Sequence, residues 1–328
     1  MAALDILRRL AGSLWVRAVV SVGLLAAVAS QIDFDLIRSR LSGGSWGWFV
    51  LAALVLLASF VVGGVRWQIF LAAAGVESTR WGAVRAYLIG MFTTNFLPTQ
   101  IGGDVTRIFV AAKPGLRTRA AVTVVLDRAT ALACMIAVGW FLIALNPGTV
   151  PGQLYAALAS ATAAFAIVTL LGILFFRTGA LRRLVPDRGR PRAGEIKITL
   201  VACLTRSTLA RTILIGLGFQ ALVYLAAWLV ARSISLDLPA AVIGAVLAPV
   251  LILSTAPVSI GGFGVREGSF VLLLGYAGIG ATNAALYSLL VAAAFALASL
   301  PGALALLHRP QRPAALEPTA APTRPRRR

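Results

Sequence analysis

Two decapeptides decide how this chain folds: PTQIGGDVTR at 98–107 and PVSIGGFGVR at 257–266. Aligned without gaps they share the Pro, the Ile, both glycines and the closing Arg, close to half a chain length apart. A Gly-rich protein produces Gly-Gly pairs by chance, but the matched Pro, Ile and Arg make chance a poor explanation. The two stretches therefore read as an internal duplication. Each follows an apolar run, 82–97 and 241–256, that is short for a full crossing of about 30 Å of hydrocarbon. A Pro followed by Gly-Gly breaks a helix. Broken backbone at membrane depth is tolerated only where it is buried in protein or lines a wet cavity. Each run with its continuation thus reads as a re-entrant hairpin.

Outside the hairpins, apolar windows long enough to cross the bilayer lie near 14–31, 46–74, 119–145, 153–176, 211–231 and 282–307. Trp15, Trp46, Trp48 and Trp81 mark several of their ends, where interfacial aromatics are expected. The first window lacks a small-residue cleavage pattern and is followed by more membrane segments, so it reads as an anchor helix. The composition agrees: 59% of the 328 residues are hydrophobic and only 12% charged, yet Lys+Arg outnumber Asp+Glu by 30 to 11, a formal +19. Such hydrophobicity excludes a disordered basic protein, and the long apolar stretches exclude a soluble nucleic-acid binder. The preference for Arg over Lys, with abundant Ala, Gly and Pro, fits a GC-rich bacterial genome.

Charge placement sets the topology. If 82–97 crossed fully, the basic stretch 107–119 and the loop 177–197 would face away from Arg8, Arg9, Arg80 and Arg85, splitting the positive charge between the two sides. If the segment returns to its own side, all these groups and the Arg-rich C-terminal tail gather on one face, as the positive-inside tendency requires. The opposite loops, 32–45, 146–152 and 232–240, then carry little net charge. A matching hairpin at 241–280 dips from the other face. The expected fold is an all-α polytopic membrane protein with about six full spans and two opposed re-entrant hairpins in inverted repeats, or eight helices if the hairpins count as spans. Residues 1–308 form one integral membrane domain on this reading, with repeats at about 46–145 and 153–307. Residues 309–328 form a disordered Arg/Pro-rich cytoplasmic tail. Both termini are expected to be cytoplasmic, in a bacterial inner membrane.

The candidate chemistry follows from the breaks. A helix restarting just after Gly103 or Gly262 presents free N–H groups and a partial positive charge. Arg107 and Arg266 lie within about a turn of those restarts, so amides at Gly102, Gly103, Gly261 and Gly262 plus a guanidinium make a receptor for phosphate. The plainer alternative is that the glycines only make the bend and each Arg pairs internally. Acids are scarce, and Asp104, Asp127 and Glu267 lie in or beside the repeat elements. An ionisable group at mid-bilayer costs roughly 2.5–3.5 kcal/mol, so pairing or function must offset it. Asp104 and Arg107, three apart, can pair on one helix face. Asp127-Arg128 and Arg266-Glu267 are adjacent and are expected to find partners across the repeat interface. These acids serve as countercharges or as coupling groups for a proton or cation. Arg66-Trp67 reads as a snorkelling Arg beside an interfacial Trp.

Two cysteines, Cys134 and Cys203, read as buried inert thiols, and the single histidine, His308, cannot build a His-based metal site or a shared triad. No cofactor or metal is expected. A membrane-embedded phosphatase or transferase would need Thr99 or Ser259 as nucleophile with Asp104 or Glu267 as acid/base, and no nucleophile signature supports it.

Arg66-Trp67, Asn95-Phe-Leu-Pro98, Gly102-Gly103-Asp104, Arg107 and Asp127-Arg128 resemble the first half-signature of the lysylphosphatidylglycerol synthase transmembrane-region family. PVSIGGFGVRE at 257–267 is similar to its second. The resemblance covers about 10–308. In aminoacyl-phospholipid synthases of the multiple peptide resistance factor type, this region is the flippase that moves modified lipid between leaflets, and a separate cytosolic domain, with no counterpart here, makes that lipid. The resemblance implies a stand-alone flippase-like transporter of a phospholipid or polyprenyl-linked headgroup, without aminoacyl transfer. Asp104, Arg107, Arg266 and Glu267 match its charged motif positions and are candidates for the translocation path. Membrane lipids, anionic or phosphate-bearing, are the implied partners, and a glycosyltransferase or lipid-synthesis enzyme is the partner if the protein is a scaffold instead. Nucleic acid is not expected.

Overall fold

A computed structural model describes residues 14–96, 101–178, 190–255, 259 and 262–307. Thr99, Gly261, His308 and the 309–328 tail lie outside the described residues, as do Pro98 and Pro257. Every regular element among those described is helical, and no strand occurs among them. The helices are α1 (Leu14–Ala29), α2 (Phe34–Ser42), α3 (Trp46–Ala73), α4 (Arg80–Phe96), α5 (Ile101–Ala111), α6 (Arg117–Leu145), α7 (Gly152–Arg177), α8 (Arg190–Cys203), α9 (Arg206–Ser233), α10 (Ala240–Thr255), α11 (Val265–Tyr276) and α12 (Ala281–Leu307). The chain is a polytopic helical membrane protein.

Five helices, α3, α6, α7, α9 and α12, are long and apolar enough to cross a membrane. At 28 residues α3 is about 42 Å long, ample for a tilted span. The window at 14–31 differs from a simple span. It yields the 16-residue α1, and it reaches spanning length only together with α2 across a 78° bend. The cause is local: the Asp33 carboxylate accepts from the N–H groups of Asp35 and Leu36 at 3.0 and 3.1 Å, starting a new helix. The stretch 32–45 is therefore not a plain loop. The basic interruption at 177–197 likewise ends in structure, because α8 begins at Arg190. Its buried face, Ala193, Thr199 and Cys203, packs on α6 and α3.

The interior is organised around α3 and α9, which pack along each other. Two helix pairs flank them, α4–α5 and α10–α11, which in sequence run into and out of the first and second decapeptides. The first helix of each pair packs on the long helix that closes the other half of the chain, α4 on α12 and α10 on α6. Small residues permit both contacts. A Cβ on Gly139 would lie 2.6 Å from the Gly244 carbonyl oxygen, and one on Gly302 2.2 Å from the Leu88 carbonyl oxygen. Apolar helices gain no hydrophobic drive from one another in lipid, so such close backbone approach is what holds them.

Candidate functional site

The first hairpin closes on itself through glycine. α5 starts at Ile101, ahead of the Gly-Gly pair, so Gly102 and Gly103 occupy its first turn instead of preceding it. Gly103 faces α4: a Cβ there would meet Thr94 Oγ1 at 2.0 Å and the Gly90 carbonyl oxygen at 2.2 Å. The glycine sets how closely the two arms approach, which brings Asp104 and Arg107 against α3, α4 and α6.

There the structure gathers five charged side chains from three helices. Arg107 holds Asp104 at 3.1 Å and Asp127 at 3.0 Å. Arg66 holds the other oxygen of Asp127 at 2.9 Å and donates to the Asp127 carbonyl at 3.3 Å. Arg128, half-exposed, reaches Asp104. Arg66, Arg107 and Asp127 are 0%, 1% and 2% exposed, which makes this a buried network and not an interfacial one. The guanidinium of Arg107 also lies 4.8 Å from the Trp67 ring and 5.0 Å from the Tyr87 ring, and that of Arg66 lies 5.0 Å from Phe219. Trp67 is fixed in turn by donating to Thr123 Oγ1 at 3.0 Å.

The network has two chemically useful properties. Three guanidiniums face two carboxylates: the buried Arg66, Arg107, Asp104 and Asp127 balance one another, and the one excess positive charge stands at the half-exposed edge, on Arg128. Two of its buried donors, Arg66 Nη1 and Arg107 Nε, have no hydrogen-bond partner among the described residues. Buried unmatched donors are costly, and an oxyanion is the group they are suited to receive.

The expected Asp104–Arg107 pair is present. Three other expectations are corrected. Arg66 does not snorkel: it lies seven residues, about 10 Å, inside the end of α3, fully buried, with its guanidinium held by Asp127 and against the Phe219 ring. Asp127 finds Arg66 and Arg107 within its own half of the chain, and among the described residues Arg128 reaches Asp104 of that same half. Arg266 and Glu267 find each other.

The second hairpin is built differently. Gly262 and Gly264 adopt φ of +84° and +83°, a backbone that glycine alone takes without strain. They delay the helix restart to Val265. Glu267 then folds back, its Oε2 accepting from the Gly264 N–H at 2.7 Å while its Oε1 accepts from Arg266 at 2.5 and 2.9 Å. A carboxylate of the chain thus occupies both the helix terminus and the guanidinium. Arg266 is partly exposed and stacks 5.4 Å from Phe263. Ser259 is buried with its Oγ unpartnered among the described residues.

Sequence reasoning missed Tyr87, Phe219 and Gln220, aromatic and amide groups around the network that no motif flags. Gln220 donates to the Ala131 carbonyl at 2.8 Å, one turn beyond Asp127. Both cysteines are free and buried. Cys203, at the end of α8, faces the Phe70 carbonyl at 3.6 Å, and burial pushes its thiol up to about 11. Among the described residues no three His, Cys, Asp or Glu side chains form a group able to hold a metal.

A sequence model described as "Lysylphosphatidylglycerol synthase TM region" matches residues 14–322. No curated protein and no solved structure matches the chain.

Proposed function

The chain belongs to the lysylphosphatidylglycerol synthase TM region family, a membrane domain of lipid metabolism or transport, and on that footing we propose that it moves a phosphate-bearing lipid headgroup across the bilayer, that of a phospholipid or a polyprenyl-linked lipid. The observation that carries this reading is the Arg66–Arg107–Arg128 cluster: Arg66 and Arg107 are buried with an unmatched donor each, Arg107 beside Trp67 and Tyr87, and the half-exposed Arg128 carries the excess positive charge. A headgroup phosphate entering the cluster would take the unmatched N–H groups and exchange with Asp104 or Asp127 for the guanidiniums, so each charged state stays compensated. Asp104, Asp127 and Glu267 serve as countercharges that hold the arginines when no phosphate does. Arg266, tied to Glu267, is the corresponding position of the other half. Nothing in this cycle makes or breaks a covalent bond, so the protein acts as a transporter and not as an enzyme.

The repeated decapeptides and the reciprocal packing of α4 on α12 and of α10 on α6 support an inverted repeat, in which each hairpin is clamped by the opposite half. Lys113, Arg117, Arg119, Arg177, Arg192 and Lys197 cluster at one end of the helices, and on the positive-inside tendency that end is cytoplasmic, with both termini, in a bacterial inner membrane. The test is reconstitution of the full chain into vesicles carrying a labelled anionic phospholipid or polyprenyl phosphate. The reading expects the label to exchange between leaflets faster than in protein-free vesicles, with no phosphate released. Exchange no faster than in protein-free vesicles, or release of inorganic phosphate, overturns it.

A further inference from the structure

A second site for an amphiphile lies away from the charged network. A cavity of about 740 Å³ opens laterally between α6, α9 and α10, lined by Phe141, Leu142, Leu217, Tyr224, Leu225 and Trp228 among others. Its size is that of a small-molecule pocket, but its lining is almost wholly apolar. Even Tyr224 turns its hydroxyl away, donating to the Met135 carbonyl at 3.0 Å, and offers the cavity only its ring. Gly218, on the cavity wall, has no atom within 4 Å of where a Cβ would stand, so the groove there is open space.

Two measures identify an occupant. From Leu217 to Trp228 the α9 wall rises about 17 Å, close to half of the ~30 Å hydrocarbon core. That is the depth of one leaflet, the reach of a single acyl chain and far short of a long polyprenyl chain. At the end of the groove Trp228 is followed one turn later by the exposed Arg232, whose guanidinium lies 5.6 Å from the Trp228 ring. An apolar slot one leaflet deep, closing on a Trp and an Arg at the membrane interface, matches an amphiphile with one hydrocarbon chain in the slot and an anionic head at its mouth. We propose that this groove holds an anionic phospholipid of the bilayer, one acyl chain against α9 and its phosphate beside Arg232. The site does not depend on the transport reading.

The full chain, extracted gently from vesicles of equal phosphatidylglycerol and phosphatidylcholine, tests this by mass spectrometry of the intact protein with its retained lipid. Gly218→Leu adds bulk at a position on the groove wall where a Cβ meets nothing within 4 Å, and Gly172→Leu, where a Cβ also meets nothing within 4 Å, adds the same bulk on α7 as a control. The expected result is that Gly218→Leu retains one phospholipid fewer than wild type while Gly172→Leu matches wild type. Arg232→Gln should keep the lipid but lower the preference for phosphatidylglycerol about tenfold, the loss of one charge-assisted contact. Elution and unfolding midpoint confirm that each variant is folded. Equal retention in Gly218→Leu and wild type would mean annular lipid only and overturns the proposal. So does displacement of the retained phospholipid by added polyprenyl phosphate in wild type.

Discussion

The two hairpins start from the same decapeptide framework and reach opposite solutions for its arginine. In the first, Arg107 is fully buried and shared between Asp104 and Asp127, the latter supplied by α6. In the second, Arg266 stays partly exposed and closes on its neighbour Glu267. The glycines diverge as well: Gly103 packs one arm on the other, whereas Gly262 and Gly264 bend the chain through positive φ. Where the first decapeptide has Asp104 and Val105 the second has Phe263 and Gly264, and those two changes move the helix start and the carboxylate. Two decapeptides that share five of ten residues thus end differently, one as a node of a three-helix charge network and the other as a self-contained cap.

This contrast can be broken experimentally, most forcefully at the shared carboxylate. Asp127→Ala leaves the buried Arg66 without its carboxylate and Arg107 with Asp104 alone, and should cost on the order of 3–5 kcal/mol in detergent unfolding experiments. A loss as small as that of a second-hairpin variant would show that the network is not what fixes the first hairpin. Next in size is Gly103→Ala, which forces a methyl into Thr94 and the Gly90 carbonyl and should cost roughly 1–3 kcal/mol. The same change at Gly268 on α11 meets nothing within 4 Å and should be neutral or stabilising by up to about 1 kcal/mol, as Ala is preferred to Gly in a helix. Glu267→Gln keeps an acceptor for the Gly264 N–H and lets Arg266 turn to water, so about 1 kcal/mol is expected. The smallest effect belongs to Arg119→Ala. Its 3.2 Å pair with Glu195 ties α6 to α8 at an accessible surface, and its loss should shift the unfolding midpoint by no more than about 1 kcal/mol equivalent.

Much of the frame was legible because membrane insertion writes itself as hydropathy. Five of the six apolar windows coincide with single long helices, and the runs at 82–97 and 241–256 coincide with α4 and α10 within a residue or two. The Asp104–Arg107 pair was legible because three-residue spacing fixes a helix face. Adjacency was misleading at Arg266-Glu267. Neighbouring side chains diverge on a continuous helix, but here the helix begins at Val265, and a Glu at its third position curls back over the start and meets the Arg beside it. Arg66 looked interfacial because what buries it, Asp127 on α6 and Phe219 on α9, lies far away in sequence, and hydropathy does not show which helices pack on one another. The first window concealed a break because Asp33 acts through a local cap that hydropathy averages away. α8 was hidden inside a basic loop whose charges mask its short buried face.

The central claim is that the Arg66–Arg107–Arg128 network handles the lipid headgroup. Its most direct test is the leaflet-exchange rate of labelled anionic phospholipid in vesicles containing wild type, Arg107→Lys or Arg266→Gln, each verified as folded by its unfolding midpoint. Arg107→Lys keeps the charge but loses the second donor arm that engages two carboxylates or a phosphate at once. Exchange should therefore slow by about tenfold or more, with a smaller loss for Arg266→Gln. Wild-type exchange rates in a folded Arg107→Lys protein would contradict the account.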